Sequence, residues 1–184
     1  NYDLDKPHEK IAPIPLGLDY HTLFKKPFWW GPKMYPTDQE KQLQQIRQHS
    51  PPFELRHNKS YSFFHFNLFD RHGQDRQDAI TALKGLDDHD FATRRMTRKK
   101  TWQICSQYKY IISPHGNGLD CHRTYEAIAL GCIPVVRSST LDSLYAGLPI
   151  IIFENWADCT IKNLNSKALE LKSHALNKMT LTFW

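Results

Sequence analysis

In SPHGNGLDCHRTYEAIALGCIPVV, Ser113 to Val136, two glycines, two histidines, an aspartate, an arginine and a glutamate precede a smooth apolar run. These residue types at this spacing suit an anionic ligand that also carries a diol. Gly116 and Gly118 flank Asn117 in a turn with few side chains to block a close approach of backbone to ligand. A helix starting just after the turn offers N–H groups and the positive end of its dipole, which favour phosphate. Arg123, in the first turn of that helix, supplies a planar guanidinium able to grip a diphosphate. Glu126 follows on the same helix face and is an acceptor suited to a ribose. Taken alone it is equally a salt-bridge partner for Arg123. The set as a whole matches a nucleoside-diphosphate site.

The surrounding pattern must position these groups. KYIIS, CIPVVR and IIIF are short, continuously apolar runs, as strands covered on both faces require. SYSFFHFNLF reads as a further, aromatic strand. Helices are expected over DRQDAITALKGL, ending near Gly85, over TRKKTWQICSQY, over DCHRTYEAIALG, ending at Gly131, and over SKALELKSHALNKM. DDHDFATRRM is expected to be a polar connection, and LDSLYAGLP a short helix or turn. Strands alternating with helices of this length mean βαβ units. The fold class expected is therefore α/β: a Rossmann-like parallel sheet flanked by helices over residues 59–184, with an extended arm over 1–58. The arm is rich in proline and aromatics and carries one expected helix, TDQEKQLQQIRQHS, capped by Thr37 or Asp38. The turn of the quoted stretch then falls at the carboxyl end of a strand, where open α/β sheets bind ligands.

Composition narrows the classes. Hydrophobic residues at 40% and charged residues at 23% are ordinary for a globular domain. The net charge of +5 suits an anionic ligand. The basic cluster RRMTRKK reads as a solvated helix face or a polyanion contact, but no nucleic-acid motif accompanies it and no nucleic-acid partner is expected. No apolar run approaches a membrane span, which needs about 20 residues. The four cysteines form no CxxC pair and predict neither a zinc knuckle nor a disulfide framework. The chain begins at Asn1 rather than Met, as a piece of a longer protein would.

RTYEAIALGCIPVV resembles the C-terminal half of exostosin-type glycosyltransferases, with Arg123, Glu126, Ala127, Gly131, Cys132, Pro134 and Val135 in order. IPLGLDYHTL is similar to the segment that joins the two halves of many GT-B enzymes. The likeness runs from about Pro13 onward and is nearest to algal, viral and microbial members. It implies the donor-binding half of a GT-B glycosyltransferase that holds a nucleotide-diphosphate sugar, a UDP-sugar in the first instance, and passes the sugar to a glycan acceptor. The partner N-terminal half would lie elsewhere in the parent protein, and no cofactor or metal is required. The compartment would follow the source, secretory for a eukaryotic member and cytoplasmic for a viral or microbial one. Retaining enzymes often carry a glutamate where Gly118 stands, so inversion is implied. An inverting transfer needs a general base, for which His115 and Asp120 are the local candidates. Their other readings are loop orientation or a phosphate contact for His115, and helix capping for Asp120. A non-catalytic nucleotide- or glycan-binding module is the alternative.

Other residues reach the same end of the expected sheet. Asn67, Arg71 and Arg76 follow the first strand, as donor contacts or as a solvated loop, and Arg137 and Ser138 follow the strand after the motif helix and so reach the cleft, Arg137 as a donor contact. Leu144 or Tyr145 could meet the base or sugar, or belong to the core. Trp29 and Trp30 could cover apolar surface or stack on a sugar. Asp87 to Asp90, DDHD, resembles a metal-binding DxD but is expected to lie in a connection.

Overall fold

Five runs of extended chain pair into one sheet: β1 (His57–Ser62), β2 (His89–Phe91), β3 (Tyr108–Ile112), β4 (Ile133–Arg137) and β5 (Ile151–Phe153). The computed structural model describes residues 14–26, 28, 30–68 and 73–175, so Trp29 and Arg71 lie outside the described residues. The strand order is β2-β1-β3-β4-β5, and every neighbouring pair is parallel. The expected Rossmann-like α/β fold is therefore present.

Alternation along each strand feeds two cores. Ile111 packs with Tyr61, Trp102, Ala127 and Leu130 on one face of the sheet. Tyr110 and Ile112 pack with Ala79, Leu83, Val135, Leu164 and Ala168 on the other. Helices α2 (Pro36–Gln48), α4 (Arg98–Cys105) and α5 (His122–Ala129) cover the first face. Helices α3 (Asp75–Leu83) and α6 (Ile161–Ala175) cover the second. The loop closing α5 turns at Gly131, whose φ of +73° is strained for any residue with a Cβ.

Several boundaries differ from the sequence pattern, each for a physical reason. The first strand lies earlier than SYSFFHFNLF suggests, and the chain leaves the sheet at Phe63, so Phe63, Phe64 and Phe66 are loop residues. The connection DDHDFATRRM contains β2, a three-residue edge strand. Its polar residues have partners there: Lys59 Nζ and the Tyr108 hydroxyl both donate to the Asp90 carboxylate, at 3.1 and 2.9 Å. Helix α2 is not capped by Thr37 or Asp38; Tyr35 is its N-cap and Pro36 opens it. Helix α6 starts earlier than expected, and residues 176–179 of its expected span lie outside the described residues.

The order of the strands fixes where a crevice must open. The chain runs from β1 outward to β2, then crosses back to place β3 on the other side of β1. Loops leaving the carboxyl ends of β1 and β3 thus depart from a topological switch point, the usual ligand position of such sheets.

The segment before α2, which includes the short helix α1 (His21–Lys25), is joined to this frame by buried charge. Asp19 Oδ2 meets Arg98 Nη2 at 3.0 Å, and Arg98 Nη2 lies 3.6 Å from Glu126 Oε1. Gln39 Nε2 donates to the Tyr20 and Met34 carbonyls at 2.7 and 2.9 Å. Burial alone would raise the Asp19 carboxyl, but hydrogen bonds from Thr22 and the Arg98 charge outweigh it and hold its pKa at about 2. A carboxyl lowered from its unfolded value contributes stability that is complete above that value and lost as pH falls through the folded one. Asp19→Asn should therefore lower the melting temperature at neutral pH and flatten the acid limb between the ordinary carboxylate range and about pH 2. Thermal melts of both chains across that range check this; parallel acid limbs would contradict it.

Candidate functional site

A cleft of about 460 Å³ opens beyond the carboxyl ends of β1, β2 and β3, a size suited to a small-molecule ligand. The loop after β1 contributes Phe63, Phe64, Phe66 and Asn67. The loop after β2 contributes Arg94, Arg95 and Met96, while α3 and α5 bring Arg76 and Arg123. Trp30 and Thr101 complete the walls. Four guanidiniums and four aromatic rings thus line one cavity, a combination that attracts an anion carrying an aromatic ring.

Each cation is held differently. Arg76 bridges two loops: its Nε donates to the His115 carbonyl at 2.9 Å and its Nη1 to the Asn67 carbonyl at 2.5 Å. The guanidinium lies so close to the turn that a Cβ on Gly116 would stand 2.5 Å from Arg76 Nη2. Arg123 donates from Nη2 to the Pro114 carbonyl at 2.6 Å and lies over the rings of Phe64 and Phe63, at 5.5 and 5.8 Å. Its buried Nε has no hydrogen-bond partner among the described residues. Burial lowers the pKa of Arg123, and the charge of Arg76 adds to that effect. Arg95 donates to the Phe66 carbonyl at 2.8 Å. Arg94 is exposed and makes no hydrogen bond or ion pair among the described residues.

Asn67, Arg76 and Arg123, expected from sequence as donor contacts, meet in this cleft. The glycine turn stands behind it. The His115 N–H is taken by Asp75 Oδ2 at 2.8 Å, and the Gly116 N–H by the Gly118 carbonyl at 3.0 Å. Of the amides expected to cradle a phosphate, these two are therefore committed within the protein. Gly118 is buried and Asn117 exposed, and neither lines the cleft.

His115 and Asp120 are both buried. The His115 ring sits between Asp75, with Nδ1 3.5 Å from Oδ2, and the Arg137 carbonyl, 3.3 Å from Nε2. The Asp120 carboxylate accepts from the Leu16 N–H at 2.8 Å, the Cys121 N–H at 2.9 Å, and the hydroxyls of Tyr125 and Tyr145 at 2.7 and 3.1 Å. Burial and this carboxylate raise the pKa of both phenols. Asp120 thus does structural work, tying the arm to the turn.

Glu126 points away from the cleft into the Asp19–Arg98 cluster, where burial raises its pKa against the opposing Arg98 charge. Arg137 pairs with Asp78 at 2.8 Å and Asp75 at 3.4 Å. Ser138 Oγ donates to Asp142 at 2.7 Å. Leu144 and Tyr145 pack with Val136 and Ile150 in a small core of their own. In DDHD, Asp88 accepts the Ile161 N–H at 3.2 Å and His89 Nδ1 meets Ser60 Oγ at 2.6 Å. Among the described residues, no group of three or more histidines, cysteines, aspartates and glutamates could hold a metal ion, and no helix is long and apolar enough to cross a membrane. Among the described residues, none of the four cysteines is in a disulfide.

Sequence reasoning missed Asp75, Arg94 and Arg95 as contributors to this end of the sheet. The two arginines could have been found through β2: once that strand is recognised, RRM stands at its carboxyl end. Asp75 reads in sequence as an acidic first-turn residue of a helix, and its burial is a tertiary effect.

Fold and cleft define the class as a Rossmann-like α/β domain with a basic, aromatic crevice at its switch point. No protein-family model matches the chain, and no curated protein matches it.

Because the atom nearest the Gly116 Cβ position is the end of a flexible side chain, Gly116→Ala should fold but dislodge Arg76. The expected cost is about 1 kcal/mol, a fall in melting temperature of about 2–4 °C at this chain length. Combined with Arg76→Ala, the two losses should be far less than additive. Full additivity in that cycle would show that the glycine does not serve the clamp.

Proposed function

We propose that this domain holds a nucleotide-diphosphate sugar, a UDP-sugar in the first instance, for transfer to a glycan hydroxyl, as the donor-binding half of an exostosin-like glycosyltransferase. The observation that carries the reading is the convergence of Arg76, Arg94, Arg95 and Arg123 with aromatic walls at the switch point. Guanidiniums suit phosphate oxygens in geometry and charge. In the inverting transfer, the acceptor oxygen attacks the anomeric carbon on the face opposite the diphosphate. The bond from that carbon to the diphosphate breaks, and its electron pair stays on the phosphate oxygen. Fixed cations beside that oxygen stabilise the developing charge. The acceptor proton must leave to a base. His115 and Asp120 are buried and hydrogen-bonded elsewhere, so the base is assigned to a group outside this cleft.

The same commitment of His115 and Asp120 favours a second reading, a nucleotide-binding module without turnover. Release of sugar from a UDP-sugar panel in the presence of glycan acceptors separates the two.

Arg94 offers the cleanest binding test, since its removal disturbs no bond among the described residues. Arg94→Ala should leave the melting temperature unchanged and weaken UDP binding about tenfold, the scale of one charge-assisted hydrogen bond. Wild-type affinity should fall as salt is raised. Calorimetric titration checks both. Equal affinity in wild type and variant would remove the loop after β2 from the site.

A further inference from the structure

Beyond the cations, one wall of the cleft is unusually well fixed. Trp30 is 37% exposed and lines the cleft, as do Met96 and Thr101. One face of its ring is covered by the Arg98 guanidinium, 5.3 Å from the ring centroid. That guanidinium also lies over Trp102, at 5.6 Å, and is pinned by Asp19 at 3.0 Å. The Arg98 N–H donates to the Trp30 carbonyl at 2.7 Å. Ring and backbone are therefore both anchored to the start of α4, and the exposed part of the ring is presented to the cavity already oriented.

We propose that Trp30 is the stacking platform for the nucleobase of the bound nucleotide. The proposal rests on the donor-binding reading above. An aromatic side chain stacks on any base through its π-face, and a platform held in place before binding loses little entropy when the ligand arrives. The cation on the far face draws on the negative charge of the ring face. That weakens its pull on the C–H groups of a sugar and favours a flat heteroaromatic partner. Met96, a polarizable thioether lining the same cleft, suits contact with a base. The guanidiniums of Arg76, Arg94 and Arg123 would then take the phosphates.

The test titrates UDP, inorganic pyrophosphate and a UDP-sugar into the wild-type chain, Trp30→Ala and Trp30→Phe. Stacking predicts that Trp30→Ala weakens UDP about tenfold, that Trp30→Phe restores most of the affinity, and that pyrophosphate binds all three chains alike. Unchanged UDP affinity in Trp30→Ala overturns the stacking role, and if the UDP-sugar alone is weakened the platform serves the sugar. Equal losses for UDP and pyrophosphate also overturn it, because the ring would then only support the cleft. A wild-type chain that binds none of the three overturns the donor-binding reading, and the platform with it.

Discussion

A buried carboxylate governs the rim of this sheet. Asp75, at the start of α3, is 2% exposed, and its two oxygens take the His115 N–H at 2.8 Å, the Trp156 indole N–H at 2.6 Å and the Arg137 guanidinium at 3.4 Å. Those donors come from the chain just past β3, the chain just past β5 and the last residue of β4. A charge taken out of water is costly unless its lone pairs are met, so the three segments are held to one point. The next residue, Arg76, reaches the other way and joins the turn after β3 to the loop after β1. One helix start thus fixes both sides of the switch point.

This arrangement separates support from contact. The HGNG turn is spent internally on Asp75, on its own closure and on accommodating Arg76. The groups facing the cleft are guanidinium side chains and aromatic rings, with Arg123 lying over Phe64 and its Nε without a partner among the described residues. Buried donors of that kind are rare and call for an acceptor. A phosphate seat made of guanidiniums depends on charge and salt more than one made of backbone amides does. The Asp19–Arg98–Glu126 cluster plays the matching role on the opposite face, where it seats the segment that carries Trp30.

Much of this was legible in the sequence, and the failures share a cause. The strands YIIS, CIPVV and PIIIF are continuous apolar runs and could be read directly, as could the helix after each and the ligand-binding end of the sheet. Arg123, Arg76 and Asn67 could be placed there because strand–turn–helix order alone puts them near a carboxyl end. Glu126 could not be assigned a direction, since its spacing from Arg123 puts both on one helix side and only the packing of α4 and the arm turns its carboxylate inward. The aromatic run at Phe63–Phe66 imitates a strand in composition, yet serves as a wall. β2 is too short and polar for any periodicity to announce it, and missing it left Arg94 and Arg95 readable only as a solvated helix face or a polyanion contact of no fixed place. Asp120 carries no local sign that its partners would be Leu16 and Tyr145, far away in the chain.

Everything proposed for this domain turns on a nucleoside diphosphate entering the switch-point cleft. The most direct measurement is the amide nitrogen–proton correlation spectrum of the chain, including arginine side-chain signals, during titration with UDP. Shifts should gather at Phe63–Asn67, at Arg94–Met96, at the Arg76 and Arg123 side chains and at the Trp30 indole, with β5 and α6 unmoved. Shifts confined to β5 and α6, or no shifts at saturating nucleotide, would contradict it.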